Sequence, residues 1–551
     1  GRPQWSNWGG LNDVLRNQEF SAGLTPSSYT FGGVLGSTNI NTRASEYRAG
    51  GRVSYASSNR SYNHRVMATY ATGLMDNGWA FAVSASRRDG NEGFNDASRY
   101  DATSMFLSLE KRFNDNHSLN FTSISAFNSR GKSAPHTQEV YDLKGIRYNE
   151  YWGYQNGKKR NSRMKDVEEP ILMLNHYWTL NEKTRLNTNV AYQFGKIGNS
   201  RLDYTGGANP SPIYYQKLPS YEVARGNIQE AYELQQDFLN NGQINWNDLY
   251  DANITKASQG KSASFILYED RNDDKQFTIN SILDTDLDDN ITLNAKIEYR
   301  RLKSENFANV LDLLGGSGYL DIDRFGDIDS PTRQNDLRNP NKIVKENDRF
   351  KYNFNLESRV INAFAQTQFK YNKVDFYIAG TVSKTSHQRD GLYENGSFLG
   401  DLSYGKSKKL SFTNFGGKTG ATYKISGRHL LDFNAGYLTK APTIRNSFSN
   451  SRESNATVSG LTSEKVLSAD ASYIVRTPII QAKITGFYTA IKDATEISFF
   501  FADGIGGENT AFVQEILTGI DKKHFGAEFG IEAQVTPTIK LKGAANIGQY
   551  T

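Results

Sequence analysis

The strongest constraint in this sequence is a two-residue alternation of apolar and polar side chains, held over stretches longer than soluble strands usually reach. From Ile291 to Arg300 every odd position is apolar and every even one polar, which puts the two classes on opposite faces of an extended chain. The pattern recurs over Ile361 to Tyr371, Leu431 to Tyr437, Ile480 to Tyr488 and Ile539 to Ile547. Scanned with this template, the chain predicts about 17 strands from around Arg48 to the C-terminus, mostly about 10 to 14 residues long against a usual mode of about 5 to 6. Tilted strands of that length cross a bilayer.

The connections alternate as well. Short turns rich in Asn, Asp, Gly and Pro fall at residues 75–78, 114–117, 181–184, 286–290, 372–375, 426–429, 476–478 and 536–538, as tight hairpins require. Between them lie two modest loops, at 57–61 and 88–98, and long ones at 131–170, 197–262, 303–349, 386–409, 441–462 and 493–521. In a meander, alternate connections lie at opposite ends. One end therefore carries tight turns and the other large excursions, as in outer-membrane barrels. A soluble β-domain predicts shorter strands without this parity, and a propeller predicts a fixed repeat. Residues 222–240 and 245–250, within one long loop, have the composition of short helical segments outside the wall.

Composition removes other classes. No apolar run approaches the ~18 residues of a spanning helix. The chain has no cysteine, so disulfides, thiolate metal sites and a cysteine nucleophile are excluded. A net charge of +5 over 551 residues points to no nucleic-acid partner. The N-terminus lacks a charged stretch followed by an apolar one, so any secretory signal is either absent or outside this chain.

Ahead of the first strand stand Trp8-Gly9-Gly10-Leu11-Asn12-Asp13 and Gly32-Gly33-Val34-Leu35-Gly36-Ser37-Thr38-Asn39-Ile40-Asn41-Thr42-Arg43. Downstream come Ala435 to Thr443, with its Ala441-Pro442, then Leu461 to Lys465 and Gly486-Phe487-Tyr488-Thr489-Ala490-Ile491-Lys492-Asp493. In this order the strings resemble TonB-dependent outer-membrane receptors: the end of a plug domain, then late-barrel segments, with Ser463 where the family has proline. The first string is most similar to receptors of the Bacteroidota type. The resemblance implies an all-β fold, a transmembrane antiparallel up-and-down barrel, with residues 1–47 the C-terminal part of a plug and 48–551 the barrel. The family's barrels have about 22 strands, so the expected 17 imply a fragment lacking C-terminal strands, the plug's beginning and the TonB-binding segment.

The implied function is energy-coupled import of a scarce ligand (siderophore, oligosaccharide or peptide) across the outer membrane, driven by the TonB-ExbB-ExbD complex. The rival is a docking scaffold or secretion partner for surface proteins, such as a lipoprotein. No catalytic apparatus is visible: the seven histidines are scattered, and His-Glu-x-x-His, Walker and Gly-x-Ser-x-Gly patterns are absent. Aromatic residues are the candidates for ligand contact: Tyr151, Trp152, Tyr154, Tyr214, Tyr215, Trp246, Tyr250, Phe499, Phe500 and Phe501 in the long loops, and Trp5 and Trp8 in the plug. The alternative is an interfacial girdle or small loop cores. No cofactor is expected; Asp321, Asp323, Asp327 and Asp329 in an outer loop could supply oxygen ligands to a structural Ca²⁺, but the favoured reading is a solvated acidic loop. An EF-hand's twelfth-position glutamate is missing there. Asn294, Lys296, Glu298, Asn362 and Gln366 should face the lumen, and the resemblance suggests Arg16 pairing with Glu464 or Glu528 between plug and wall.

Overall fold

Seventeen antiparallel wall strands form one sheet in chain order among the described residues. They are Gly50–Ser57, His64–Ala71, Trp79–Gly90, Tyr100–Arg112, His117–Gly131, an interrupted strand over 164–181, Thr184–Tyr204, Phe265–Asp288, Ile291–Asp312, Arg349–Lys370, Val374–Gly391, Leu410–Lys424, His429–Lys440, Glu464–Arg476, Ile480–Ala502, Ala511–Gln534 and Lys540–Tyr550. The structure, a computed structural model, describes residues 8–502 and 511–551, with side chains for all of these except 501, 502, 511 and 512.

The interrupted strand is broken at Pro170, which has no N–H to give the ladder. Its two pieces, Met164–Glu168 and Ile171–Asn181, pair with the same neighbours, 117–131 and 184–204. Gly195 takes up the offset at φ 138°, where a Cβ would strike the Glu168 carbonyl. Among the described residues, the ring of pairings traced by strand registers is this local one. Lys540–Tyr550 pairs with 511–534, both its faces are exposed, and no register joins it to Gly50–Ser57 among the described residues. The sheet thus curls into a barrel with a seam between its first and last strands.

The alternation places side chains as expected. Ile297 is 60% exposed on the outer face, whereas Asn294 is 0% exposed on the inner one, bonded to Asp284, Gln366 and Gln368. Phe433, Leu467, Ile484, Phe525 and Ile547 extend the exposed apolar belt. Strand lengths differ from expectation. Phe265–Asp288 and Ala511–Gln534 have 24 residues each, about 80 Å at ~3.3 Å per residue, well beyond a ~30 Å hydrocarbon core even when tilted ~45°. Parts of the expected loops, including 197–204, 303–312 and 386–391, are strand.

Beyond the belt the outer face turns charged. Glu305 receives Lys275, Lys303 and Arg349 at 3.5, 3.6 and 3.3 Å.

The long-loop end has its own cores. One gathers Ile266, Tyr268, Val310, Tyr319, Phe350 and Phe448. The helical insertion forms Pro219–Arg225, Ile228–Asn241 and Trp246–Ser258. The expected single segment is divided at Gly226, which caps the first helix in the left-handed conformation. Asn245 caps the third by accepting from the Asp248 N–H. A fourth short helix, Gln138–Lys144, has no apolar period long enough to reveal it.

Residues 8–47 lie inside the sheet. Leu11, Val14 and Leu15 are buried against Ala71, Ala82, Phe106 and Ile124 of the inner wall. A small hairpin, Gln18–Ser21 with Ser37–Ile40, is closed by turns that include Gly36 at φ 85°, where a Cβ would meet the Ser21 carbonyl.

Candidate functional site

The inner segment is held from opposite walls. On one side Gln366, Tyr377 and Lys418 donate to the carbonyls of Ser27 (3.3 Å), Leu24 (2.6 Å) and Thr25 (3.0 Å), and Phe31 packs with Phe364, Tyr377, Ala379 and Leu438. On the other, Arg43 Nε donates to Glu110 Oε1 at 2.8 Å and its NH2 to Ser118 at 2.9 Å. The Ser45 N–H donates to the second Glu110 oxygen at 3.0 Å. Glu110 is 0% exposed; charge-assisted bonds of this kind are what make a buried carboxylate tolerable.

So held, the segment divides the lumen. Toward the long loops is a cavity of about 1360 Å³, floored by residues 30–36. Toward the tight turns is another of about 690 Å³, lined by residues 37–43, the 114–118 turn and Tyr177. The larger cavity's wall is rich in amides and hydroxyls, including Asn272, Asn306, Asn362 and Asn414. Lys296, Glu298 and Asn362 line it as the alternation predicted, with Lys296 and Glu298 neutralising each other at 2.9 Å. Asp270 takes Arg201 at 2.6 Å, Arg452 at 3.4 Å and the Tyr352 hydroxyl at 2.6 Å. Such a chamber can receive a polar solute from the long-loop side. The alternation could have identified its upper wall, had those strand tops not read as loops.

The aromatic candidates fall into separate groups, with Trp246 and Tyr250 in one loop core, and none of those described lines this cavity. Trp246 is 0% exposed, packed with Ile244, Leu249, Phe265, Leu267 and Leu314; its Nε1 donates to the Arg160 carbonyl at 3.2 Å. Trp152 is buried with its ring edge against Tyr154. Tyr250 donates to Asp312 at 3.1 Å. These three hold loops together because their large faces are consumed by packing. Tyr214 and Tyr215 touch each other beside the insertion. Phe499 and Phe500 stand exposed on another strand. Tyr151 is half-buried beneath Arg163, and Trp8 packs against the inner wall. Trp5 and the Phe501 side chain lie outside the described residues.

Two further expectations are corrected. Arg16 is exposed and makes no ion pair among the described residues, while Glu464 faces Lys440 at 3.8 Å. Glu528 lies in the strand register with Thr485 and Asn546 and likewise has no ion pair among the described residues. Arg43 makes the inner contact instead, because the short run to Gly50 tethers it beside the first wall strands. The acidic loop gathers no metal cluster: no group of three or more His, Asp or Glu able to hold an ion occurs among the described residues. Asp321 turns inward to accept from Asn335 at 2.6 Å and from the Lys351 N–H at 3.0 Å, and burial raises its carboxyl above the usual range. Asp323 caps its own turn at Phe325, and Asp327 accepts from the Ser330 N–H through its carbonyl.

No family model and no curated relative matches this sequence. Solved structures do resemble it. The copper transporter OprC superposes with a TM-score of 0.62 at 11% identity, over 97% of this chain and 66% of that one. The ferric-catecholate import receptor Fiu from E. coli K12, in its closed form, gives 0.58 at 11%, over 96% and 68%. The ferric yersiniabactin uptake receptor FyuA from Yersinia pestis gives 0.58 at 11%, over 97% and 66%. The chain thus spans about two thirds of the length of these neighbours. An antiparallel wall of long outward-greasy strands, curled around an internal N-terminal segment and matched to these transport receptors, is the fold of the TonB-dependent outer-membrane receptors.

Proposed function

We propose that the protein is a TonB-dependent importer of the outer membrane, with residues 8–47 acting as part of its plug. The observation that carries this reading is the division of the lumen into an outer and an inner cavity by a segment anchored on two opposite walls. A barrel of this width is unselective when open, so an internal obstruction held by polar bonds suits gated passage. In this reading the outer cavity receives a scarce metal chelate, glycan or peptide, and the TonB-ExbB-ExbD complex pulls on the plug. The anchors at Leu24, Thr25 and Ser27 favour such a cycle: hydrogen bonds to backbone carbonyls are each worth about 1 kcal/mol net, within reach of an applied force.

The test is leak of a small neutral sugar across liposomes containing the full-length receptor. The intact protein should hold the sugar, and a variant lacking residues 8–43 should release it rapidly. Equal, rapid leak from both would remove the reading.

A further inference from the structure

The two chambers of the lumen approach each other at one place. Among the described residues, Thr30 of the inner segment and Lys296 of the wall are the two that border both cavities. On the neighbouring strand, Phe265–Asp288, Asn280 lines the inner cavity and Gln276 the outer, so only the inward-facing Thr278 lies between them.

A row of inward-facing polar side chains crosses this place. The registers set Asn175 opposite Asn189, Asn189 opposite Asn280, Asn280 opposite Glu298, and Glu298 opposite Asn362. Barrel strands tilt by about 35–45°, so a row running square to them climbs the wall as it goes round. Asn175, Asn189 and Asn280 line the inner cavity, while Glu298 and Asn362 line the outer. The row is a polar ramp from one chamber to the other.

The ramp bonds to itself rather than to the segment. Asn175 donates to Asn189 at 2.6 Å and Asn189 to Asn280 at 2.8 Å; Lys296 pairs with Glu298 at 2.9 Å, and Asn362 donates to Thr381 at 3.0 Å. Asn189, Asn280, Lys296 and Glu298 make no hydrogen bond or ion pair with residues 8–47 among the described residues. Tyr29, which reaches the inner cavity from the segment, spends its hydroxyl on Glu19 at 3.1 Å. At the anchored walls, separation breaks the bonds to Ser27, Leu24 and Thr25 and the charge-assisted ones at Glu110. At the ramp it breaks none and uncovers groups that are already paired. A pull on the segment therefore parts it from the ramp more easily than from the anchored walls.

We propose that imported solute passes between the chambers at Thr30 and Lys296, along the amide ramp, with the Lys296–Glu298 pair closing the route at rest. Successive neutral amides offer a hydroxyl- or amide-bearing solute exchangeable hydrogen bonds, each weak enough to release it. This rests on the importer reading and states where its path lies.

The test uses liposomes loaded with D-arabinose and carrying the full-length receptor. Lys296→Ala with Glu298→Gln removes the lysine stem and leaves no carboxylate unpaired; it should release the sugar at least several-fold faster than the parent. Thr30→Gly, on the other side of the partition and outside the wall, should do the same. Arg445→Ala, at a residue that lines the outer cavity alone, should stay as tight as the parent. Asn280→Cys added to a leaky variant and capped with a bulky polar maleimide should close the leak. The same cap on Asn116→Cys, which lies in the inner cavity off the ramp, should leave it open. Parent-like retention by both partition variants, or a leak that the cap at 280 does not reduce, overturns the route. Tight partition variants beside a tight parent remove the route and leave the importer reading; a parent as leaky as the variant lacking residues 8–43 removes both.

Discussion

Replacing Glu110 by leucine should release the inner segment from its wall, at a cost of about 3 to 5 kcal/mol. The carboxylate is fully buried and accepts from Arg43 and from the Ser45 N–H. Leucine leaves the Arg43 guanidinium facing the wall with only Ser118 and the Tyr177 ring, 4.3 Å away, as partners. Hydrogen exchange should show residues 41–47 losing protection while the strands keep theirs. Glu110→Gln retains one acceptor for the Ser45 N–H and should lose less. A double-mutant cycle with Arg43→Met, in which neither charge remains, should recover much of the loss. Unchanged protection in the leucine variant would show that the segment is held by other contacts.

Trp246→Ala should loosen the long-loop end without touching the barrel. The indole fills a core between the third helix of the insertion and the tops of two strands, is covered by the Arg160 guanidinium at 4.3 Å, and bonds through its N–H. Emptying such a site costs about 3 to 5 kcal/mol. Because the insertion contributes none of the wall strands, the loss should be local: faster proteolysis within 205–264 and an unchanged barrel transition. If ligand contact were this residue's main role, the variant would keep its protease resistance and lose only binding.

The two residues illustrate what a sequence can and cannot reveal. Ile291 to Arg300 announces its faces because lipid on one side and a wet lumen on the other impose opposite demands on neighbours. Above the belt that contrast disappears. Arg301, Lys303 and Glu305 face outward where Ile297 does below them, so the strand continues while its hydrophobic period stops, and 303–312 reads as loop. The tight turns were legible from their Asn, Asp and Gly. The long-loop aromatics were not sorted, since Trp246 in a core and Tyr215 on a surface carry the same composition signal. Arg16 and Arg43 look equivalent in the chain, and only the tether to the first strand decides which reaches Glu110.

The orientation of the wall can be measured residue by residue, because the chain has no cysteine to remove. Single cysteines at Ile297, Ile361, Asn294 and Gln366, each carrying a spin label in a lipid bilayer, report collisions with oxygen, which concentrates in lipid, or with a water-soluble nickel complex. Labels at Ile297 and Ile361 should collide mainly with oxygen, and those at Asn294 and Gln366 should be shielded from lipid. Labels at 297 and 361 relaxed by nickel as strongly as an exposed loop site would mean that the apolar face does not meet lipid, and the membrane-barrel account would be wrong.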